Sequence, residues 1–340
     1  MKKPKILKKV NPQFRGVYSN KNVDKIPILF MMVGLPGSGK SYLADGLHVE
    51  RKEVTKPNIH SSDTLRKELY GDEDEQKHNA EIFSELHKRI KNDLQNNKDV
   101  IYDATNINKK KRRAFLSELK NIPCYKVCLA VMTPYEYCLK QNTKRKRKVP
   151  EHIIRKMYLN WNPPSYDEGF DDIILCYNFE SNKSQDKYTL DNFFAGDIGA
   201  DYIDQENKHH TYTIGEHCRA TGAYLKEHYP EDTLLHTAGL LHDIGKVFTK
   251  SPFNSKGERD GDCHYYQHHC VGAYDSLFYT WVIDIPLSDK IEIANLIYYH
   301  MMPFTSWKQS EKAKNKSRNQ IGEKMFDKVM KLHEADLAAH

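Results

Sequence analysis

Residues 26–33, Ile-Pro-Ile-Leu-Phe-Met-Met-Val, run directly into residues 34–41, Gly-Leu-Pro-Gly-Ser-Gly-Lys-Ser. The first stretch has no charged or polar side chain. A continuous apolar run of this length reads as a strand buried on both faces, as in a parallel sheet covered by helices. The second stretch matches G-x-x-x-x-G-K-[ST], a phosphate-binding loop placed after a strand, where such a loop belongs. Gly34, Gly37 and Gly39 let backbone N–H groups, with Ser38 among them, curl around phosphate oxygens. Lys40 would reach the β- and γ-phosphates, and the Ser41 hydroxyl would bind Mg²⁺. Leu43 and Leu47 continue with helical spacing. The motif implies ATP or another nucleoside triphosphate with Mg²⁺, and leaves the acceptor of the phosphate open.

Three more apolar runs follow: 99–103 (DVIYD), 125–132 (YKVCLAVM) and 172–177 (DIILCY). Polar segments of helical character separate them, such as NAEIFSELHKRIKNDLQNN. This alternation predicts an α/β domain with a parallel sheet flanked by helices over residues 24–178. A basic arm over 1–23 precedes it. Residues 180–187 (ESNKSQDK) are polar without periodicity and read as part of a linker over 179–200. From residue 201 to 340 helical periodicity takes over, which predicts an all-α second domain.

Composition narrows the classes of function. The chain has 340 residues, enough for two ordinary domains, and 39% of them are hydrophobic, which excludes a disordered protein. No apolar stretch reaches the ~18 residues a membrane span needs. The seven cysteines include no C-x-x-C pair. That argues against a disulfide framework or structural zinc cage, and for a reducing, cytoplasmic setting. Charge is uneven: residues 1–178 hold 34 Lys/Arg against 22 Asp/Glu, whereas 179–340 hold 18 against 24. An amino-terminal half at +12 suggests a polyanionic partner, although a solvated surface with a basic tail reads equally well.

Three further segments bear on the acceptor. In HSSDTLRKELYG, Asp63 and Arg66 lie three apart, on one face of a helix. A carboxylate there can take the proton of an acceptor hydroxyl, and an arginine can grip an acceptor phosphate. An ordinary surface ion pair remains open from these residues alone. In VIYDATN, Asp103 closes a strand, where open α/β sheets place ligands, though an Asp-Asn turn has the same composition. KQNTKRKRKVP (140–150) suits a basic lid that lowers an arginine onto the transferring phosphate, or else a solvated charged run.

Taken in order, the phosphate loop, S-D-x-x-R, V-I-x-D-x-T-N and a K-x-N-x-K-R lid with V-P and R-x-M-Y resemble the 5′-hydroxyl polynucleotide kinases of phage and bacteria. The resemblance covers about residues 26–178. It implies Asp63 as general base, Arg66 as a contact to the acceptor's phosphate, and Arg145 as the lid arginine on the nucleotide, with Arg147 competing for that role.

In the helical half, Ile214, Cys218, Thr221 and Leu225 share a stripe with His217. Ile293, Leu296 and Ile297 share one with His300, and Met325, Val329 and Leu332 share one with Asp336. His242-Asp243 follow the apolar Leu240-Leu241, on a fourth helix. One such histidine is ordinarily a satisfied core residue. Several converging from separate helices make a shared metal the economical reading. These residues resemble the HD-domain metal-dependent phosphohydrolases, over residues 201–340. The resemblance implies His217, His242, Asp243, His268, His300 and Asp336 as ligands, six of them suggesting two divalent transition ions (Mn²⁺, Ni²⁺, Co²⁺ or Fe²⁺). Lys246 would contact phosphate. His209, His210, His236, His264, His269 and His333 take no role and read mostly as turn or surface residues.

The pair of resemblances points to the bacterial end-healing fusions of an HD domain with a polynucleotide kinase, with the domain order reversed here. Expected partners are RNA or DNA ends, bound through phosphates without sequence specificity, and a ligase acting afterwards. A nucleoside or metabolite kinase fused to a nucleotidase is the alternative, and an ATP-gated regulator with an inactive HD fold is a third.

Overall fold

A computed structural model describes residues 16–19, 26–51, 53–179, 187–207 and 211–339. Most of the basic arm, most of the 180–187 stretch, and His209 and His210 lie outside the described residues. The chain divides into two compact units. One comprises 1–154 with 168–179, and the other 155–167 with 180–340.

Among the described residues eight strands form in the first unit: β1 Gly16–Ser19, β2 Ile28–Val33, β3 Leu47–Glu50, β4 Val54–Thr55, β5 Asn58–Ser61, β6 Val100–Asp103, β7 Tyr125–Met132 and β8 Asp172–Tyr177. Five make an all-parallel sheet in the order β5-β6-β2-β7-β8. The helices are α1 Lys40–Gly46, α2 Ser62–Tyr70, α3 Asn79–Gln95, α4 Lys109–Glu118 and α5 Tyr135–Thr143, with α6 Glu151–Tyr158 crossing the boundary of the two units. Every residue of β2 is fully buried, as its lack of polar side chains requires. Ile28, Phe30 and Met32 join Val127, Leu129, Val131 and Ile101 in one apolar cluster.

The four strands expected from apolar runs are present. The helix expected to run through Leu47 is not. It stops at Gly46, and Leu47 turns to φ −80°, ψ 132°. Residues 47–50 become β3, pairing in parallel with β1 and antiparallel with β4 in a separate three-stranded sheet. The physical reason is the alternation in Leu-His-Val-Glu, which buries Leu47 and Val49 on one face. β5 also went unread, because Asn-Ile-His-Ser is an edge strand with little apolar content.

Among the described residues of the second unit the regular elements are helices, joined by turns and irregular segments, with one isolated bridge between Ser251 and His264. Its helices are α7 Leu190–Phe194, α8 Ile214–His228, α9 Thr233–Leu241, α10 Lys246–Thr249, α11 His268–Tyr279, α12 Leu287–Tyr299, α13 Ser306–Gln309, α14 Glu311–Ile321 and α15 Glu323–Ala338. A Thr213/Glu216 capping box starts α8, which fixes where His217 falls on its first turns. No described helix is long and apolar enough to cross a membrane.

Candidate functional sites

The phosphate loop leaves the carboxyl end of β2 between its neighbours β6 and β7. Gly37 and Gly39 adopt φ 81° and 96°, which side chains disfavour. A Cβ on Gly37 would also stand 2.3 Å from the Cys138 carbonyl oxygen. The loop is tied to the next strand ending: Gly34 N–H donates to Thr105 O (3.0 Å), and Asn106 Nδ2 donates to Met32 O (2.9 Å). Lys40 Nζ donates to Leu35 O at 2.8 Å, and Ser41 Oγ to the Asp103 carboxylate at 2.8 Å. Asp103 therefore stands beside the hydroxyl expected to carry Mg²⁺. Burial lowers the Lys40 ammonium's pKa, with Asp103 opposing, and burial raises that of the Asp103 carboxyl, with Lys40 and Ser41 opposing. A cavity of about 400 Å³ opens here, lined among others by Gly39, Lys40, Ser41, Tyr42, Arg145 and Asn178.

Asp63 and Arg66 sit on α2, whose start is capped by Ser61. Arg66 Nη1 meets Asp63 Oδ1 at 3.0 Å, and the arginine is buried, unlike a surface pair. The loop after α2 and the start of α3 hold it there: Arg66 Nε donates to Glu75 O (2.9 Å) and Nη2 to Asn79 Oδ1 (2.8 Å). The other oxygen of Asp63 meets Arg147 Nη1 at 2.8 Å, and Arg147 Nε meets Asp74 at 2.6 Å. The two lid arginines are thus separated: Arg145 lines the nucleotide cavity, and Arg147 faces the Asp63 carboxylate. Asp63 is near enough to raise the pKa of both the Lys40 ammonium and the Asp103 carboxyl, in each case as a lesser effect than burial. Asp74 and Asn79 carried no motif; only their place in the polar segment after α2 could have suggested them.

In the second unit the six expected ligands converge. His217 Nε2 lies 3.1 Å from His242 Nε2, 3.0 Å from Asp336 Oδ1 and 3.5 Å from Asp243 Oδ2. His268 Nε2 lies 3.1 Å from His300 Nε2 and 3.3 Å from Asp243 Oδ1. Two groups of ligand atoms result, His217-His242-Asp243 and Asp243-His268-His300, sharing Asp243. Each of its oxygens faces a different histidine pair.

The outer ring nitrogens show what the inner ones can do. Nδ1 of His217 faces Ala339 O, that of His242 Gly239 O, that of His268 Tyr265 O, and that of His300 Ile297 O, all at 2.6 to 3.1 Å. A nitrogen facing a carbonyl oxygen carries the proton, so in the neutral ring the Nε2 is a bare lone pair. Four such lone pairs, two pairs of them 3.1 Å apart, repel one another unless a cation lies between them. Burial would raise the Asp243 carboxyl, yet the Lys246 ammonium beside it holds it well below the usual range. The donor set, imidazole nitrogens with anionic carboxylates and carbonyl-anchored rings, fits divalent transition ions.

His242 and Asp243 are not on a helix as expected. α9 ends at Leu241, His242 caps it, and Asp243 lies in the turn before α10. His300 likewise caps α12, and His268 is the first residue of α11. Lys246 Nζ meets Asp243 Oδ2 at 2.7 Å and Gln205 Oε1 at 2.8 Å. Gln205 and Tyr265 are contacts the sequence did not flag. Of the unassigned histidines, His236, His269 and His333 are half-buried within α9, α11 and α15 rather than in turns.

Residues 29–164 match the family model described as AAA domain, and residues 209–329 match that of the HD domain. The L-seryl-tRNA(Sec) kinase of Methanococcus maripaludis is 28% identical over 144 residues, which are 42% of this chain and 56% of the relative. The chain thus spans little more than half the length of that curated relative. A solved structure of a candidate kinase from Chloroflexus aurantiacus aligns with 12% identity and a TM-score of 0.36, over 47% of this chain and 95% of its own. The chain carries a P-loop kinase-like α/β domain followed by a helical HD domain.

Proposed function

We propose that the first domain transfers the γ-phosphate of ATP to the 5′-hydroxyl of a polynucleotide, and that the HD domain hydrolyses a phosphate ester at the other kind of end. The observation that carries the kinase reading is Asp63, held between two guanidiniums beside the phosphate loop. A carboxylate there accepts the proton of an attacking hydroxyl as phosphoryl transfer proceeds. Arg66 and Arg147 suit a phosphate next to that hydroxyl, as a nucleotide chain supplies and a free nucleoside does not. The curated relative's name gives a seryl-tRNA as its acceptor, which supports an RNA-linked hydroxyl. Ser41 with Asp103 would hold Mg²⁺, and the ion would offset charge on the phosphate oxygens. Arg145 would reach the same oxygens from the lid.

In the HD domain, His217, His242, Asp243 and Asp336 would hold one divalent ion and Asp243, His268 and His300 a second. Bound ions would supply Lewis acidity at a phosphoryl oxygen. Lys246 orients Asp243 and presents a cation to the ester. The substrates that fit this pairing are 3′-phosphate or 2′,3′-cyclic phosphate ends of RNA or DNA, held through their phosphates. The products, a 5′-phosphate and a 3′-hydroxyl, are what a ligase joins. All seven cysteines are free thiols, in keeping with a cytoplasmic setting.

The test is phosphate transfer from labelled ATP to 5′-hydroxyl RNA, 5′-hydroxyl DNA and free nucleosides in parallel. Labelling of an oligonucleotide supports the reading. Labelling of nucleosides alone replaces it with a small-molecule kinase.

A further inference from the structure

Two residues outside every sequence motif hold one carbonyl of the phosphate loop. Thr133, the first residue past β7, donates its hydroxyl to Ser38 O at 2.8 Å. Asn178, the first past β8, donates its side-chain amide to the same oxygen at 2.8 Å. Both strand endings thus converge on a single buried acceptor. The orientation of the Asn178 carboxamide follows from chemistry, since its own oxygen would repel the Ser38 carbonyl.

The consequence lies on the far side of the peptide. The Ser38–Gly39 bond is trans, so its C=O and the Gly39 N–H point in opposite directions. Pinning the oxygen therefore turns the Gly39 N–H away from both donors. Such a pin is needed because a peptide preceding glycine flips easily, and Gly39 already sits at φ 96°. A flip would present the carbonyl oxygen where a phosphate needs a donor. Asn178 also closes the space beside Gly39: its Nδ2 would stand 2.7 Å from a Cβ there. Both Gly39 and Asn178 line the nucleotide cavity.

We propose that Thr133 and Asn178 are positioning residues that lock the Ser38–Gly39 peptide with its N–H presented to the terminal phosphates of a bound nucleotide. The inference rests on the nucleotide-binding part of the reading above and not on the identity of the acceptor. It is tested on the full chain by calorimetric affinities for Mg²⁺-ADP and, by competition at millimolar concentration, for AMP. Thr133→Val keeps the shape and removes the donor, Thr133→Ser keeps the donor, and Asn178→Ala is a second route to the same loss. Thr133→Val and Asn178→Ala should each weaken ADP by roughly 5- to 10-fold, the scale of one lost hydrogen bond. AMP affinity should stay unchanged, and Thr133→Ser should bind ADP within about 2-fold of the parent, since its hydroxyl still makes that bond. Equal losses for AMP and ADP would mean a base or ribose contact or general damage, and would overturn the lock. So would undiminished ADP binding by Thr133→Val and Asn178→Ala. A parent protein that binds neither nucleotide would instead remove the nucleotide reading, and this inference with it.

Discussion

At the scale of single residues, Asp63 and Asp243 are the two carboxylates on which the proposed chemistries turn. Asp63 is met by a guanidinium on each oxygen, so Asp63→Asn keeps the shape and loses the base. Transfer should fall by at least ~10², the scale of general-base catalysis, while nucleotide affinity holds. A variant that transfers normally would remove Asp63 from that role. Asp243 faces both histidine pairs, so Asp243→Ala should abolish hydrolysis of a generic phosphate ester. His300→Ala removes one lone pair from one group and should lower metal occupancy without eliminating it, as metal analysis of the purified variants would show. Most of these residues were legible in the sequence because each carries chemistry that a core residue of its type rarely needs. What was not legible is how they are oriented. Three of the histidines bond the carbonyl three residues earlier, at a helix end or entrance, and only the folded backbone shows that this leaves every Nε2 pointing inward.

At the scale of elements, the lid after α5 combines two roles that its composition blurred. Along residues 144–148, Lys144, Lys146 and Lys148 are exposed, whereas Arg145 and Arg147 are half-buried and face the sites. The alternation separates exposed lysines from half-buried arginines, which a count of positive charges could not do. Replacing Lys144, Lys146 and Lys148 with alanine should flatten the salt dependence of oligonucleotide binding, by about one unit of log–log slope for each phosphate no longer neutralised. Catalysis at saturating substrate should persist. An unchanged slope would show these lysines to be solvated only. Another element, α4, is held by a pair the sequence did not suggest: Arg112 and Glu168, 2.7 Å apart and wholly buried, with Arg112 also donating to Asn106 O. Arg112→Ala would strand the Glu168 charge, costing about 3–5 kcal/mol in a denaturant titration. Paired long-range charges of this kind leave no local periodicity. The same blindness hid β3, where four alternating residues outweighed the helical spacing that precedes them.

At the scale of the molecule, the shift from strand-helix alternation to helical periodicity marked two units, because each period reports how a segment buries its apolar face. Residues 155–167 escaped that reading. They pack with the second unit although they precede β8 in sequence, and helical spacing alone does not say which core a helix joins. On the proposed reading the two units bind different ligands, which makes their stabilities separable. A ligand that binds only the folded form raises stability by RT ln(1 + [L]/Kd), or about 4 kcal/mol at a thousandfold excess over Kd. Stripping divalent metal by prolonged chelation should therefore lower the unfolding transition of the helical unit, where four bare Nε2 atoms are left facing one another. Adding Mn²⁺ back should restore it. Mg²⁺-ADP should raise only the transition of the α/β unit, through Lys40, Ser41 and the phosphate loop. Tryptophan cannot report the α/β unit, since all three lie in the helical unit as divided, at 161, 281 and 307. Proteolysis of each unit during a thermal ramp, read by mass spectrometry, assigns the transitions instead. If chelation and Mn²⁺ move neither transition, the histidine cluster is held by protons alone and the hydrolase reading of the second unit fails.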